Sequence, residues 1–229
     1  MNDSHRLDWH PVAAPAHSTL EGRYVDLEPL DARRHGDDLW QVLQGPDADP
    51  RLWDYLPYGP FAERAPFDAW LTANQASGDP LFYAVFDRHR QRTVGLLGYL
   101  RITPKDGVIE IGHIAFSRAM QRSPASTEAV FLLAEQAMGT LGYRRLEWKC
   151  NARNARSMRA AERLGFSFEG TFRQHMVVKG ENRDTAWFSI LDSEWPRCQA
   201  AFQRWLAPEN FDGQGQQVAR LEALRKGES

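Results

Sequence analysis

Cysteine is nearly absent from this chain: its 229 residues include two, Cys150 and Cys198. They show neither C-x-x-C spacing nor a secreted-domain pattern, so the sequence predicts reduced thiols in a cytoplasmic protein and no disulfide framework. Glycine fingerprints for phosphate are absent as well. Neither G-x-G-x-x-G nor G-x-x-x-x-G-K-[ST] occurs, which leaves a Rossmann or P-loop reading without support. The seven histidines form no H-E-x-x-H and no clustered ligand spacing, so no metal is predicted. Neither sign of charge dominates: 28 basic residues against 30 acidic ones give a net −2, with no electrostatic footprint for nonspecific nucleic-acid binding. No apolar run approaches the roughly 18 residues of a membrane span, and the first residues lack the regions of a signal peptide. A chain of this length buries roughly 70% of its unfolded surface as one domain without staples.

The most informative stretch runs from Val108 to Leu133. Val108 to Phe116 alternates and is rich in β-branched and aromatic residues, which predicts a strand with Ile109, Ile111, His113 and Ala115 on one face and Glu110, Gly112, Ile114 and Phe116 on the other. Ser123 then supplies an N-cap and Pro124 a first helical residue. Val130, Leu133, Ala137 and Leu141 repeat at helical spacing until Gly142. A strand entering a helix through a polar turn aims free N–H groups and a helix dipole at one spot, where an anion can sit.

Around this unit the chain reads in order as an arm without periodicity (1–20), a strand over Tyr24 to Leu30, and a helix capped by Asp31 and running to about Leu43. An aromatic, turn-rich loop from Gly45 to Pro60 follows, and then a helix from about Arg64 to Ala76. Leu81 to Phe86 and Thr93 to Ile102 form a hairpin that the central strand extends. Beyond the central helix come a strand at Arg145 to Asn151, a helix capped by Asn154 and closed by Gly165, and a second hairpin over Phe166 to Leu191, turning around Gly180, Glu181 and Asn182. Ser193 to Leu206 reads as a further helix, and 207–229 as a tail or short helix. This order describes an α/β fold: a mixed sheet with helices on both faces.

The chain resembles the GNAT superfamily of acyl-CoA-dependent N-acyltransferases, and within it the type of the ribosomal-protein N-terminal acetyltransferases RimJ and RimL. The resemblance covers about Leu20 to Leu191. It rests on EIG at Glu110 to Gly112, QRSPASTEA at Gln121 to Ala129, and NARNARSMRAAERLGFSFEG at Asn151 to Gly170. It implies a single domain, residues 21–206, with a mostly antiparallel sheet of about seven strands splayed between its two central strands. Acetyl-CoA, or another acyl-CoA, would lie in that splay. The backbone of Ile114, Ala115 and Phe116 would face the pantetheine arm. Gln121, Arg122, Ser123, Ala125, Ser126 and Thr127 would face the pyrophosphate, although Pro124 stands at a small-residue position of the family's turn and lacks an N–H. Asn154 and Ser157 would reach the cofactor, with Ser157 near its sulfur. Capping alone also accounts for Asn154.

The implied reaction is attack of a neutral amine on a thioester, which requires a base for the ammonium, an N–H for the developing oxyanion and a proton for the departing sulfur. Ser157 is the candidate acid. For the base, the acid expected of the family aligns with Met176, so Glu110 is preferred and Asp54 second. Trp53, Asp54, Tyr55 and Tyr58 are candidates for an acceptor pocket, or else pack the first two helices against the sheet. His113 reads as a hydrogen-bonded core histidine. The expected partner is an amine, small molecule or protein N-terminus, with no nucleic acid or membrane, and a homodimer is left open. A succinyl or other acyl-CoA transferase and a noncatalytic acyl-CoA-binding regulatory module are the alternatives.

Overall fold

The order of elements follows from where the chain can bury apolar runs. The computed structural model describes residues 7–46 and 48–227. Residues 1–6 of the expected arm, residue 47 of the expected loop and residues 228–229 of the expected tail lie outside it. Eight strands form one sheet: β1 (Leu20–Glu21), β2 (Val25–Pro29), β3 (Leu81–Asp87), β4 (Arg92–Thr103), β5 (Val108–Phe116), β6 (Arg145–Asn151), β7 (Ser167–Val178) and β8 (Glu181–Leu191). Their spatial order is β1-β2-β3-β4-β5-β6-β8-β7, antiparallel except for β5 beside β6. The sequence pattern missed the two-residue β1, which is too short to show alternation.

Helices cover both faces. On one lie α1 (Ala32–Gln44) and α2 (Arg64–Gln75), and their buried Leu39, Leu43, Phe67 and Leu71 meet Phe82, Ala84 and Leu96 of β3 and β4. Asp31 caps α1, its carboxylate accepting from the N–H groups of Arg33 and Arg34 at 2.8 and 3.0 Å. On the other face lie α3 (Pro124–Ala134), α4 (Ala155–Leu164) and α5 (Trp195–Leu206), against Tyr83, Val85, Leu97, Tyr99, Ile109 and Ile111. The near-continuous apolar run of β3 has this cause: buried on both faces, it has no polar side to alternate with.

Two departures from the sequence pattern shape the centre. First, β4 and β5 pair Gly98 with Gly112 but Leu96 with Ala115, so β5 carries one residue more than its partner. This bulge falls at His113, whose φ is +53°. It breaks the expected alternation: Ile109 and Ile111 face the α3 side, whereas Ala115 joins the α1/α2 core and Ile114 and Phe116 cross to the α3 side. Second, β5 and β6 pair only at Val108–Arg145, Ile109–Leu146 and Glu110–Glu147. Beyond Glu110 the strands part, and this opening is the expected splay.

The helix expected to run to Leu141 is regular only to Ala134, and Glu135–Thr140 is a π-helical turn with Leu141 N–H on Gln136 O at 2.9 Å. Ala137 and Met138 lie buried in this wider turn. The second hairpin turns at Lys179–Gly180, beginning one residue earlier than its polar run suggested. The described chain is tied down near both of its ends. Trp9 Nε1 donates to Lys105 O at 2.9 Å and His17 Nε2 to Phe82 O at 2.8 Å. A last helix, α6 (Leu221–Lys226), buries Leu221 and Leu224, while Arg225 donates to the carbonyls of Glu162 and Arg163 at the end of α4. No helix among the described residues is long and apolar enough to cross a membrane.

Candidate active site

On the α3 face the site is built from the ends of β6 and α4. Asn154 caps α4, its side-chain oxygen accepting from Ser157 N–H at 3.1 Å. That cap fixes Ser157 in the first turn, directly above the inward residues of β6. The Ser157 hydroxyl accepts from Trp148 Nε1 at 3.0 Å. Indole is only a donor, so the serine keeps its own proton to give. Its other neighbour is Cys150, whose thiol is pushed up by burial and held back by a hydrogen bond with Ser157, and so remains a neutral, weak acceptor. A stronger acceptor placed here would take the serine's proton. Trp148 and Cys150 were not singled out from sequence, since a tryptophan and a cysteine in a short strand read as core.

The turn into α3 is open at its helix end. Ser123 occupies the cap position but turns its hydroxyl back to Met120 O at 2.7 Å, so its side chain does not cap the helix. With Pro124 lacking an N–H, the unspent amides of the first turn belong to Ala125 and Ser126. Arg122, with φ +60°, is exposed beside them. Other residues expected at this turn are engaged elsewhere. Gln121 donates to Phe116 O at 3.3 Å, the Ser126 hydroxyl donates to Ser123 O, and buried Thr127 accepts from Arg163 Nη1. An anion fits the open amides and Arg122, and an extended arm fits the β5 edge that β6 leaves unpaired from Ile111 to Phe116.

The aromatic loop divides into a packed part and a bridging part. Trp53 is buried against Tyr58 and Phe61 and donates to Leu43 O at 3.2 Å, which places it in the α1/α2 core. Tyr58 stacks on His113, and its hydroxyl shares a 3.0 Å hydrogen bond with His113 Nδ1. Burial raises the tyrosine hydroxyl above its usual range. Burial, with Arg101 and Arg183 acting in the same direction, depresses His113 to about 4, so the imidazole is neutral at neutral pH. Asp54 is exposed. Tyr55 donates to Arg153 O at 3.2 Å, Arg156 meets Asp49 at 3.2 Å, and Lys179 donates to Trp53 O at 2.8 Å. These three contacts carry the loop across from α1 and α2 to α4 and the β7–β8 hairpin.

Glu110 is the last residue of β5 paired to β6 and is 3% exposed. One oxygen, Oε2, meets Arg101 at 2.7 Å and Lys149 at 2.9 Å. Oε1 turns along the strand toward Gly112, where an added side-chain carbon would stand 3.7 Å away. Burial raises this carboxyl, with Lys149 and Arg101 pulling it back. Lys149 also meets Glu147 at 2.6 Å and sits 3.9 Å above the Trp187 ring. Glu110 and Ser157 thus stand at one opening in the sheet, one beside each face. Arg101 and Lys149 carry no motif, and only the sheet brings them together.

A split mixed sheet, a strand entering a helix through a turn with open amides, and a serine at the next helix start define a fold for moving a group carried on an extended donor. The family described as Acetyltransferase (GNAT) domain matches residues 26–167, and the chain belongs to it. Its activity class is that of the acyl-CoA-dependent N-acetyltransferases. The chain is similar to a GCN5-related N-acetyltransferase from Brucella melitensis, with 51% identity, 96% of this chain and 99% of that one covered, and a TM-score of 0.93. A protein named Uncharacterized N-acetyltransferase p20 from Bacillus licheniformis is 26% identical over 151 residues, 65% of this chain and 84% of its own. RimL, a ribosomal L7/L12 alpha-N-protein acetyltransferase, shares the fold at 19% identity, with a TM-score of 0.65 over 80% of this chain and 96% of its own.

Proposed function

We propose that this protein transfers the acetyl group of acetyl-CoA directly to a primary amine, with the donor on the α3 face of the splay and the amine arriving from the other. The observation that carries this reading is the Ser157 hydroxyl, oriented by Trp148 Nε1 and by the Asn154 cap, with only the weak Cys150 thiol to take its own proton. Acetyl-CoA supplies an activated thioester. The open amides of Ala125 and Ser126, with Arg122, hold its pyrophosphate, and the free β5 edge from Ile114 to Phe116 aligns its arm and offers an N–H to the carbonyl oxygen. Glu110 Oε1 accepts the proton of the incoming ammonium. Burial raises its pKa, which makes it a stronger base than a solvated carboxylate. As the C–S bond breaks, Ser157 donates its proton to the sulfur, so that CoA leaves as the thiol.

The test is turnover of acetyl-CoA against a panel of amines, followed as free thiol. Amine-dependent release of CoA with formation of the N-acetyl product is expected. A protein that binds acetyl-CoA but acetylates no amine, or one that prefers succinyl-CoA, contradicts the reading.

A further inference from the structure

Three cations on the open face of β4, β5 and β6 are spoken for: Arg101 by Glu110, Lys149 by Glu110 and Glu147, and Arg145 by Glu147 and Glu169 at 2.8 and 2.5 Å. Arg183 of β8 is not. Among the described residues no carboxylate oxygen comes within the 4.0 Å of an ion pair, and its Nε is buried with no hydrogen-bond partner. Directly across the ladder stands Met176, which brings no charge. Alternation along β8 puts Arg183 on the same face as Trp187, away from Ala186 and Phe188 in the α3-side core. Trp187 Nε1 is likewise buried without a partner. Two donor-only groups without acceptors on one strand face call for a ligand that brings acceptors.

Arg183 is also close to the chemistry. Its charge acts on His113, and it feels Glu110 and Cys150, groups lining the two sides of the splay. A guanidinium does not discharge in a protein, so half-burying one with no carboxylate in contact is costly until an anion arrives. Planar and forked, it matches a carboxylate in two parallel hydrogen bonds.

We propose that Arg183 binds a carboxylate of the amine acceptor, so that the enzyme selects amines bearing an acid group, an amino acid or an acidic peptide, over polyamines and aminoglycosides. This assignment rests on the acetyl-transfer reading and adds the acceptor's chemical class to it. Arg183 is here a positioning residue for the amine, whose chemistry belongs to Glu110 and Ser157.

The experiment compares kcat/KM for alanine, phenylalanine and glutamate, each as the free acid and as the carboxamide, with Ala-Asp-amide, Ala-Asn-amide and spermidine alongside. Acids are expected to exceed their amides by on the order of 10- to 100-fold, mostly through KM, the scale of one charge-assisted pair. A preference confined to the free amino acids identifies an α-carboxylate, and one shown by Ala-Asp-amide over Ala-Asn-amide identifies a peptide side chain. Arg183→Gln should collapse the acid-to-amide ratio toward one, Arg183→Lys should retain part of it, and thermal midpoints report that both variants fold. Equal use of acids and amides, preference for spermidine, or an unchanged ratio in Arg183→Gln overturns the proposal. Should no amine turn over, the same pairs are titrated calorimetrically into CoA-saturated protein, where acids that bind no better than amides overturn it. Failure of acetyl-CoA itself to bind would instead count against the acetyl-transfer reading.

Discussion

On the α3 face of the split sheet the site is made of backbone and helix starts: an unpaired strand edge, two open amides and a capped first turn holding one serine. On the opposite face it is made of charges drawn from four strands, with Glu110, Arg101, Lys149 and Arg183 brought together only by the sheet. The first arrangement suits a donor whose chemistry is constant, because backbone groups recognise phosphate and amide whatever lies beyond them. The second suits an acceptor that differs from enzyme to enzyme, because single side chains on a fixed sheet change its charge without touching the donor's site.

Variants can break this division at either face. The largest effect is expected at Ser157. Ser157→Ala should lower kcat by roughly 10²- to 10⁴-fold, with CoA affinity in calorimetry changed little. Loss of CoA affinity in proportion to kcat would return the serine to a purely structural part of the helix start.

Glu110→Gln should lower turnover at neutral pH by about 100-fold. The sign of its pH dependence is set by burial, which raises this carboxyl. As the base it must be ionised, so the wild-type kcat falls on acidification through a limb lying above the ordinary carboxylate range. In the variant that limb disappears, and high pH restores part of the rate by deprotonating the amine directly. His113, held near 4, contributes no limb between pH 5 and 8. An unchanged limb in Glu110→Gln would reassign deprotonation to Asp54 or water.

A buried carboxylate with no chemistry sharpens the contrast. Glu128 of α3 accepts the N–H groups of Arg23, Tyr24 and Val25 at 2.8, 2.6 and 2.8 Å, tying the start of β2 to the central helix. Glu128→Ala should cost about 2 kcal/mol in urea unfolding by leaving those amides unsatisfied, with kcat per folded molecule preserved. The smallest effect is expected at Asn154. Loss of its cap in Asn154→Ala should cost about 1 kcal/mol, with a drop in kcat smaller than that of Ser157→Ala.

The same division decides what could be read in the sequence. β6 was legible to the residue, and the Asn154 cap, the Gly165 stop and the place of Ser157 followed from local rules, because capping and alternation act between residues close in the chain. The His113 bulge was not legible. Alternation predicts one face for Ile109, Ile111, His113 and Ala115, and the extra residue shows only against the register of β4. The π-turn after Ala134 hid for a similar reason, since Ala137 and Leu141 fit an ordinary helix equally well. Trp53 looked like a pocket residue because an aromatic in a polar loop is ambiguous until the packing of α1 and α2 is known. Arg183 sits in a charged hairpin, ENRD, that resembles any solvated turn, and its lack of an ion-pair partner among the described residues is a property of the assembled sheet.

The central claim is that the β5 edge left free by the splay receives the acyl-CoA arm. Hydrogen exchange of the backbone amides, measured with and without saturating acetyl-CoA, tests it at the named residues. Exchange is predicted to slow at Ile114 to Phe116 and at Ala125 and Ser126, with β7 at the sheet's outer edge unchanged. Binding of acetyl-CoA that leaves Ile114 to Phe116 exchanging as fast as before, or that protects β7 instead, would contradict it.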